Sequence, residues 1–198
     1  MIPEEKRINS RARLKEFLAL ECARYPMTAR HIIPYLFQNS EGAILRRHTV
    51  LLRTTEYHVN TGHRLRAFFW RARLMKFQMR YAIHIPLNSC GKGLCIPHVL
   101  PVAFNGNATL GEHCRVMPMV LLSGDDKNDL APTVGDRVTI GIGANLVGGI
   151  TIADDITIGA GAVVTKSFLE PGITIAGVPA KKLHEQTPAD HKEDADAT

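Results

Sequence analysis

The chain has 198 residues, 45% of them hydrophobic, and 24 Lys or Arg against 19 acids give a formal net charge of +5. That is enough apolar material for one globular unit with an appendage, and no window approaches the roughly 18 apolar residues of a membrane span. The opening MIPEEKRINSRARLKEF carries charges but no apolar run of the kind a secretory leader needs, so the chain reads as soluble and cytoplasmic. Charge is unevenly spread: residues 1–80 hold sixteen Lys or Arg and six acids, residues 81–198 eight and thirteen. A solvated helical surface accounts for the basic region, and no RNA-binding or helix-turn-helix signature points to a nucleic-acid partner. Cys22, Cys90, Cys95 and Cys114 form neither a CxxC pair nor a zinc-ligand spacing, so no metal is expected.

In chain order, residues 1–82 read as a helical region. Leu14, Phe17, Leu18 and Cys22 share one helical face, Pro26 marks a break, and Thr28 offers an N-cap. A second helical pattern covers 44–58. A third, over 63–81, mixes Leu65, Phe68, Phe69, Leu74, Phe77 and Met79 with six basic residues, which describes an amphipathic helix with a basic face. Packing against the rest of the molecule is its expected role, with membrane-surface contact the secondary one.

From Cys90 the pattern changes to sixes, most regular over 134–169: VGDRVT, IGIGAN, LVGGIT, IADDIT, IGAGAV, VTKSFL. An aliphatic residue opens each block and a mostly small residue follows. A 3.6-residue period would scatter these aliphatics around a cylinder, whereas a six-residue period is that of a parallel β-helix, whose short strands turn corners around a filled interior. The inward positions are Cys90, Ile96, Val102, Leu110, Val116, Leu122, Val134, Ile140, Leu146, Ile152, Ile158 and Val164, with two inserted residues placed near Gly106. Three sixes make a coil, so residues 90, 110, 134 and 152 open four successive coils. The helices are expected to cap one end, and EPGITIAGVPAKKL to close the other, giving a β-helix domain over 83–183. The polar, acidic segment 184–198 is expected to be disordered.

The repeats, IGAGAVVTK and the closing ITIAGVPAKKL resemble the hexapeptide-repeat acyltransferases, which implies a mainly β protein: a left-handed parallel β-helix with an N-terminal helical region, assembled as a homotrimer. More narrowly, 63–183 resembles the serine O-acetyltransferase family in a polysaccharide-biosynthesis-like branch. GKGLCIPH stands where that family has a Gly-rich turn followed by its catalytic histidine, and a polar excursion precedes PTVGDRVTIG. The resemblance implies acetyl-CoA as co-substrate and His98 as general base, a role suited to a neutral imidazole near operating pH. His98 is the third residue of the six opened by Ile96, an outward place; His84 and His113 are secondary candidates. Gly124 matches the family's Gly-containing turn and would offer an N–H to the developing oxyanion. The implied coenzyme groove runs past Ile142, Gly143, Ala160 and Gly161 to Thr165, Lys166, Val178, Pro179 and Lys181, with the two lysines facing phosphates.

Four positions depart from the serine pattern. Pro97 replaces an acid before the histidine, Leu130 and Ala131 replace an Arg–His pair before Pro132, and Ile83 replaces the aspartate that orients the base. A serine ammonium or carboxylate buried without partners is costly. The expected acceptor is therefore a sugar hydroxyl of a surface polysaccharide precursor, with serine the alternative and a non-catalytic scaffold the remaining one. Asn105 or Asn107 would take over the orientation of His98.

Overall fold

The computed structural model describes residues 1–26, 40–125 and 129–185, so Thr28, part of the polar excursion and residues 186–198 lie outside it. After a short 3₁₀ turn, three helices precede the coils: α1 (Arg11–Ala23), α2 (Glu41–Asn60) and α3 (Arg64–Tyr81). Ser10 caps α1 and Ser40 caps α2, each hydroxyl accepting a backbone N–H three residues on, which satisfies a donor the helix itself leaves orphaned. α3 ends where Ala82 turns left-handed at φ 53°.

The remaining chain winds through three sheets in turn. The first stacks Ile83–His84, Val102–Phe104, Leu121–Ser123, Asn145–Val147 and Val163–Val164; the second Thr109–Leu110, Thr133–Val134 and Thr151–Ile152; the third Arg115–Val116, Thr139–Ile140, Thr157–Ile158 and Ile173–Gly177. These pairings are parallel, and the last strand, Ala180–Glu185, folds back antiparallel to close the stack. The backbone pairs Cys90 with Leu110, Leu110 with Val134 and Val134 with Ile152, so four coils open where the period puts them. Each expected inward residue is buried, and each contributes about 1.5–3 kcal/mol by leaving water.

The two-residue insertion falls elsewhere than expected. Phe104, not Val102, is in register with Leu122, and Val102 pairs with Ile83 instead. From Phe104 to Leu110 the chain counts a clean six, whereas Ile96 to Phe104 takes eight. The extra residues therefore sit in the turn 97–101, which bulges because two prolines there cannot donate to a ladder. His98 is inside this bulge rather than ahead of it. The final strand also runs two residues into the segment expected to be a disordered tail, since His184 and Glu185 pair with Thr174 and Ile173.

A buried ionic cluster fastens the helices to the first coil. Arg53 of α2 grips Glu21 of α1 with Nε and Nη2 at 3.0 and 2.7 Å, and Glu56 with Nη1 at 2.9 Å. The same guanidinium donates to the carbonyls of Cys90 and Gly91, while Glu21 accepts from Gly93 N–H and Glu56 from Asn88 N–H. The first coil has no neighbour above it, and these side chains satisfy backbone groups a missing coil would have paired. Burial opposes the charge on Arg53, but Glu21 and then Glu56 outweigh it and hold the guanidinium protonated.

α3 differs from a simple amphipathic helix. Only Leu74 and Phe77 of its large apolar residues are buried; Leu65, Phe68, Phe69 and Met79 face outward.

Candidate active site

Three sheets make three edges, and the candidate residues divide among them. The edge between the third and first sheets stacks the turns 97–101, 117–120, 141–144 and 159–162. Met119 N–H donates to Pro101, Gly143 N–H to Pro118 and Gly161 N–H to Ile142, tying each turn to the one before. His98, Ile142, Gly143, Ala160 and Gly161 thus share one edge. The closing turn with Val178 and the cis Pro179 lies at its end, since Ile175 is in register with Ile158 and Lys181 pairs with Ala176. Gly143 and Gly161 adopt φ of 70° and 66°, and a Cβ on either would meet open space. Glycine adopts this left-handed conformation without the strain that Met119 bears at φ 63° in the neighbouring turn, and the bare surface leaves the edge free for a slender ligand.

His98 is held from outside the coils. Glu41, the first residue of α2, accepts the Val99 N–H at 2.7 Å and places its carboxylate 3.4 Å from His98 Nδ1. The His98 side chain remains 54% exposed. A carboxylate at Nδ1 favours the tautomer with its proton there, leaving the Nε2 lone pair for a substrate hydroxyl. Asn105 and Asn107 do not fill this role. Asn105 Oδ1 accepts the Asn107 N–H at 2.9 Å, and Asn107 Nδ2 donates to the Asp129 carbonyl.

Beside His98 a cleft opens on the outer face of the third sheet, lined by Arg24, Tyr25, Glu41, Cys95, His113 and Arg115 among others. Tyr25 is fixed by donating to the Ile96 carbonyl at 2.6 Å, and burial raises its phenol pKa. His113 lies across Gly93, where an added Cβ would come within 2.7 Å of Nδ1. His84 is exposed on the first strand. Spacing along the chain pointed to neither Glu41 nor the two cleft arginines, because they come from three separate elements.

The edge between the first and second sheets carries Gly124, Thr165 and Lys166. A Cβ at Gly124 would lie 2.6 Å from Asn105 Nδ2, so glycine there lets the Asn105 side chain pass. Lys166 Nζ sits 5.4 Å from the Phe168 ring centroid. Neither Lys166 nor Lys181 forms a salt bridge among the described residues, while the adjacent Lys182 pairs with Glu170. The structure therefore gathers most of the candidate residues with His98 and places Gly124, Thr165 and Lys166 on a different edge of the same prism.

No protein-family model matches the chain. The serine acetyltransferase of Helicobacter pylori (strain J99 / ATCC 700824) is 34% identical over 123 residues, spanning 60% of this chain and 71% of the relative. That of Mycobacterium tuberculosis is 33% identical over 144 residues, 67% of this chain and 62% of the relative. Among solved structures, the Neisseria gonorrhoeae serine acetyltransferase superposes with a TM-score of 0.62 at 25% identity, covering 94% of this chain and 70% of that one. The fold is the left-handed β-helix of these enzymes, and the chain belongs to the serine acetyltransferase family of acyl-CoA-dependent O-acetyltransferases.

Proposed function

We propose that the protein transfers the acetyl group of acetyl-CoA to the hydroxyl of serine, with His98 as general base. The relatives are named for serine, and none supports the sugar acceptor that Ile83, Pro97, Leu130 and Ala131 suggested. The observation that carries the reading is the Glu41 carboxylate on His98 Nδ1. It supplies from a helix the acid that Pro97 and Ile83 lack, and Ile83 is fully buried in the core where no side chain would meet substrate. Arg24 and Arg115 in the adjoining cleft supply cations for an amino-acid carboxylate in place of the pair missing at Leu130 and Ala131.

His98 Nε2 takes the proton from the serine hydroxyl as that oxygen attacks the thioester carbonyl. The tetrahedral intermediate collapses, the C–S bond breaks, and the imidazolium returns its proton to the departing thiolate. Such base assistance contributes about 10² to 10⁴ in rate. The coenzyme lies along the edge of Ile142, Gly143, Ala160 and Gly161 towards Val178, Pro179 and Lys181.

Gly124 N–H serves the oxyanion, and Thr165 and Lys166 the coenzyme, from a neighbouring copy in a homotrimer. Two separate edges of one prism do not close on one ligand, and their separation supports a shared site.

The test is thiol release from acetyl-CoA with serine, sugars and nucleotide sugars offered singly. Serine turnover lost in His98→Ala is the expected result. Turnover with a sugar and none with serine overturns the acceptor, and unchanged turnover in the variant overturns the base.

A further inference from the structure

α3 carries two apolar stripes on opposite sides. Trp70, Leu74, Phe77 and Tyr81 face the protein. At 100° per residue, Leu65, Phe68, Phe69, Met75 and Met79 fall together on the other side, where they are 89%, 76%, 53%, 61% and 70% exposed. Rows of cations border this outer stripe. Arg66, Arg73 and Arg80, seven residues apart, run along one flank, Arg64 and Arg71 along the other, and Lys76 lies within it. The helix contains no acid, and among the described residues none of these six cations forms a salt bridge. Arg73 instead lies over the Phe69 and Trp70 rings, 5.4 and 5.7 Å from their centroids. On the same flank Arg47 of α2 joins Arg73, Lys76 and Arg80 around a cleft backed by Leu51 and Phe77.

This is the arrangement of a helix that lies in a lipid interface: large apolar groups between two lines of long basic side chains, whose stems reach back to the headgroups. A second copy meeting this face with its own α3 would oppose cation to cation with no carboxylate between them. No described helix is long and apolar enough to cross a membrane. We propose that α3 docks the protein peripherally on an anionic phospholipid surface. Leu65, Phe68, Phe69, Met75 and Met79 enter the boundary between headgroups and acyl chains, the arginine rows meet phosphates, and the cleft of Arg47, Arg73, Lys76 and Arg80 takes one headgroup.

The experiment is co-sedimentation of the full chain with vesicles of phosphatidylcholine alone or mixed with phosphatidylglycerol. Binding to the mixed vesicles only, weakening as salt rises, is expected. The triple variant Arg73→Gln, Lys76→Gln, Arg80→Gln should bind mixed vesicles about a hundredfold more weakly, and Phe68→Ser with Met79→Ser about tenfold or more. Both variants should keep the wild-type circular dichroism, since the altered side chains are exposed. Equal binding to neutral vesicles, no binding to mixed ones, or undiminished binding by the Phe68→Ser, Met79→Ser variant would overturn the proposal. A fall in mass by light scattering for that variant would overturn it too, in favour of a second copy on this face.

Discussion

His98 and Glu41 show how much of a site hangs on one contact. The histidine was legible because GKGLCIPH resembles the Gly-rich turn and histidine of a known family; its outward place in the six by itself describes an ordinary surface residue. Its partner was not, since Glu41 lies 57 residues away on a helix whose own sequence says only that Ser40 and Glu41 start it. The carboxylate does two things, anchoring the turn through Val99 N–H and orienting the ring. Glu41→Gln keeps the first and weakens the second. Steady-state kinetics should show kcat down about tenfold, with the KM for acetyl-CoA unchanged; a KM effect alone would mean that Glu41 binds ligand rather than positions the base.

Elements are joined by residues whose roles periodicity does not announce. Arg53 sits in a helical pattern like any surface cation, yet it is buried with two carboxylates and two carbonyls of the first coil. Arg53→Met strands Glu21 and Glu56 and should cost about 3–5 kcal/mol in urea unfolding, with spectroscopic loss concentrated in the helices. Between α2 and α3, His48 is buried beside Phe77, and its Nε2 has no hydrogen-bond partner among the described residues. Burial first, then the Arg53 charge, depress its pKa from 6.5 to about 4. The unfolded chain therefore takes up a proton that the folded one refuses. This contribution to stability is complete above pH 6.5 and declines as pH falls towards 4, by about 3 kcal/mol in all. Subtracting the stability–pH curve of His48→Leu from that of the wild type should isolate this slope; parallel curves would mean that the imidazole titrates freely.

At the scale of the whole molecule, the division of candidate residues between two edges leads to a complementation test. His98→Ala removes the proposed base from one edge, and Thr165→Trp, at an exposed position, obstructs the other. If each site takes one edge from each of two copies, co-expressing the two inactive chains restores intact sites by random mixing, to about one quarter of wild-type activity. No recovery would place the whole site within one copy.

The sequence by itself determined the coil, its interior and the four coil starts, because a six-residue period is a local property that backbone pairing repeats without reference to distant parts. His98 was singled out by the family resemblance of GKGLCIPH, not by the period, in which it occupies an ordinary outward place. Only the tertiary structure decided where the two extra residues lie, since Val102 and Phe104 are both apolar and either satisfies the pattern until Ile83 pairs with one of them. The tertiary structure also brought Glu41 to His98 and Arg53 to the first coil, and turned half the apolar residues of α3 outward. Each depends on how a helix is set against the coils, and that placement comes from packing and charge pairing between residues far apart in the chain, which no periodicity records.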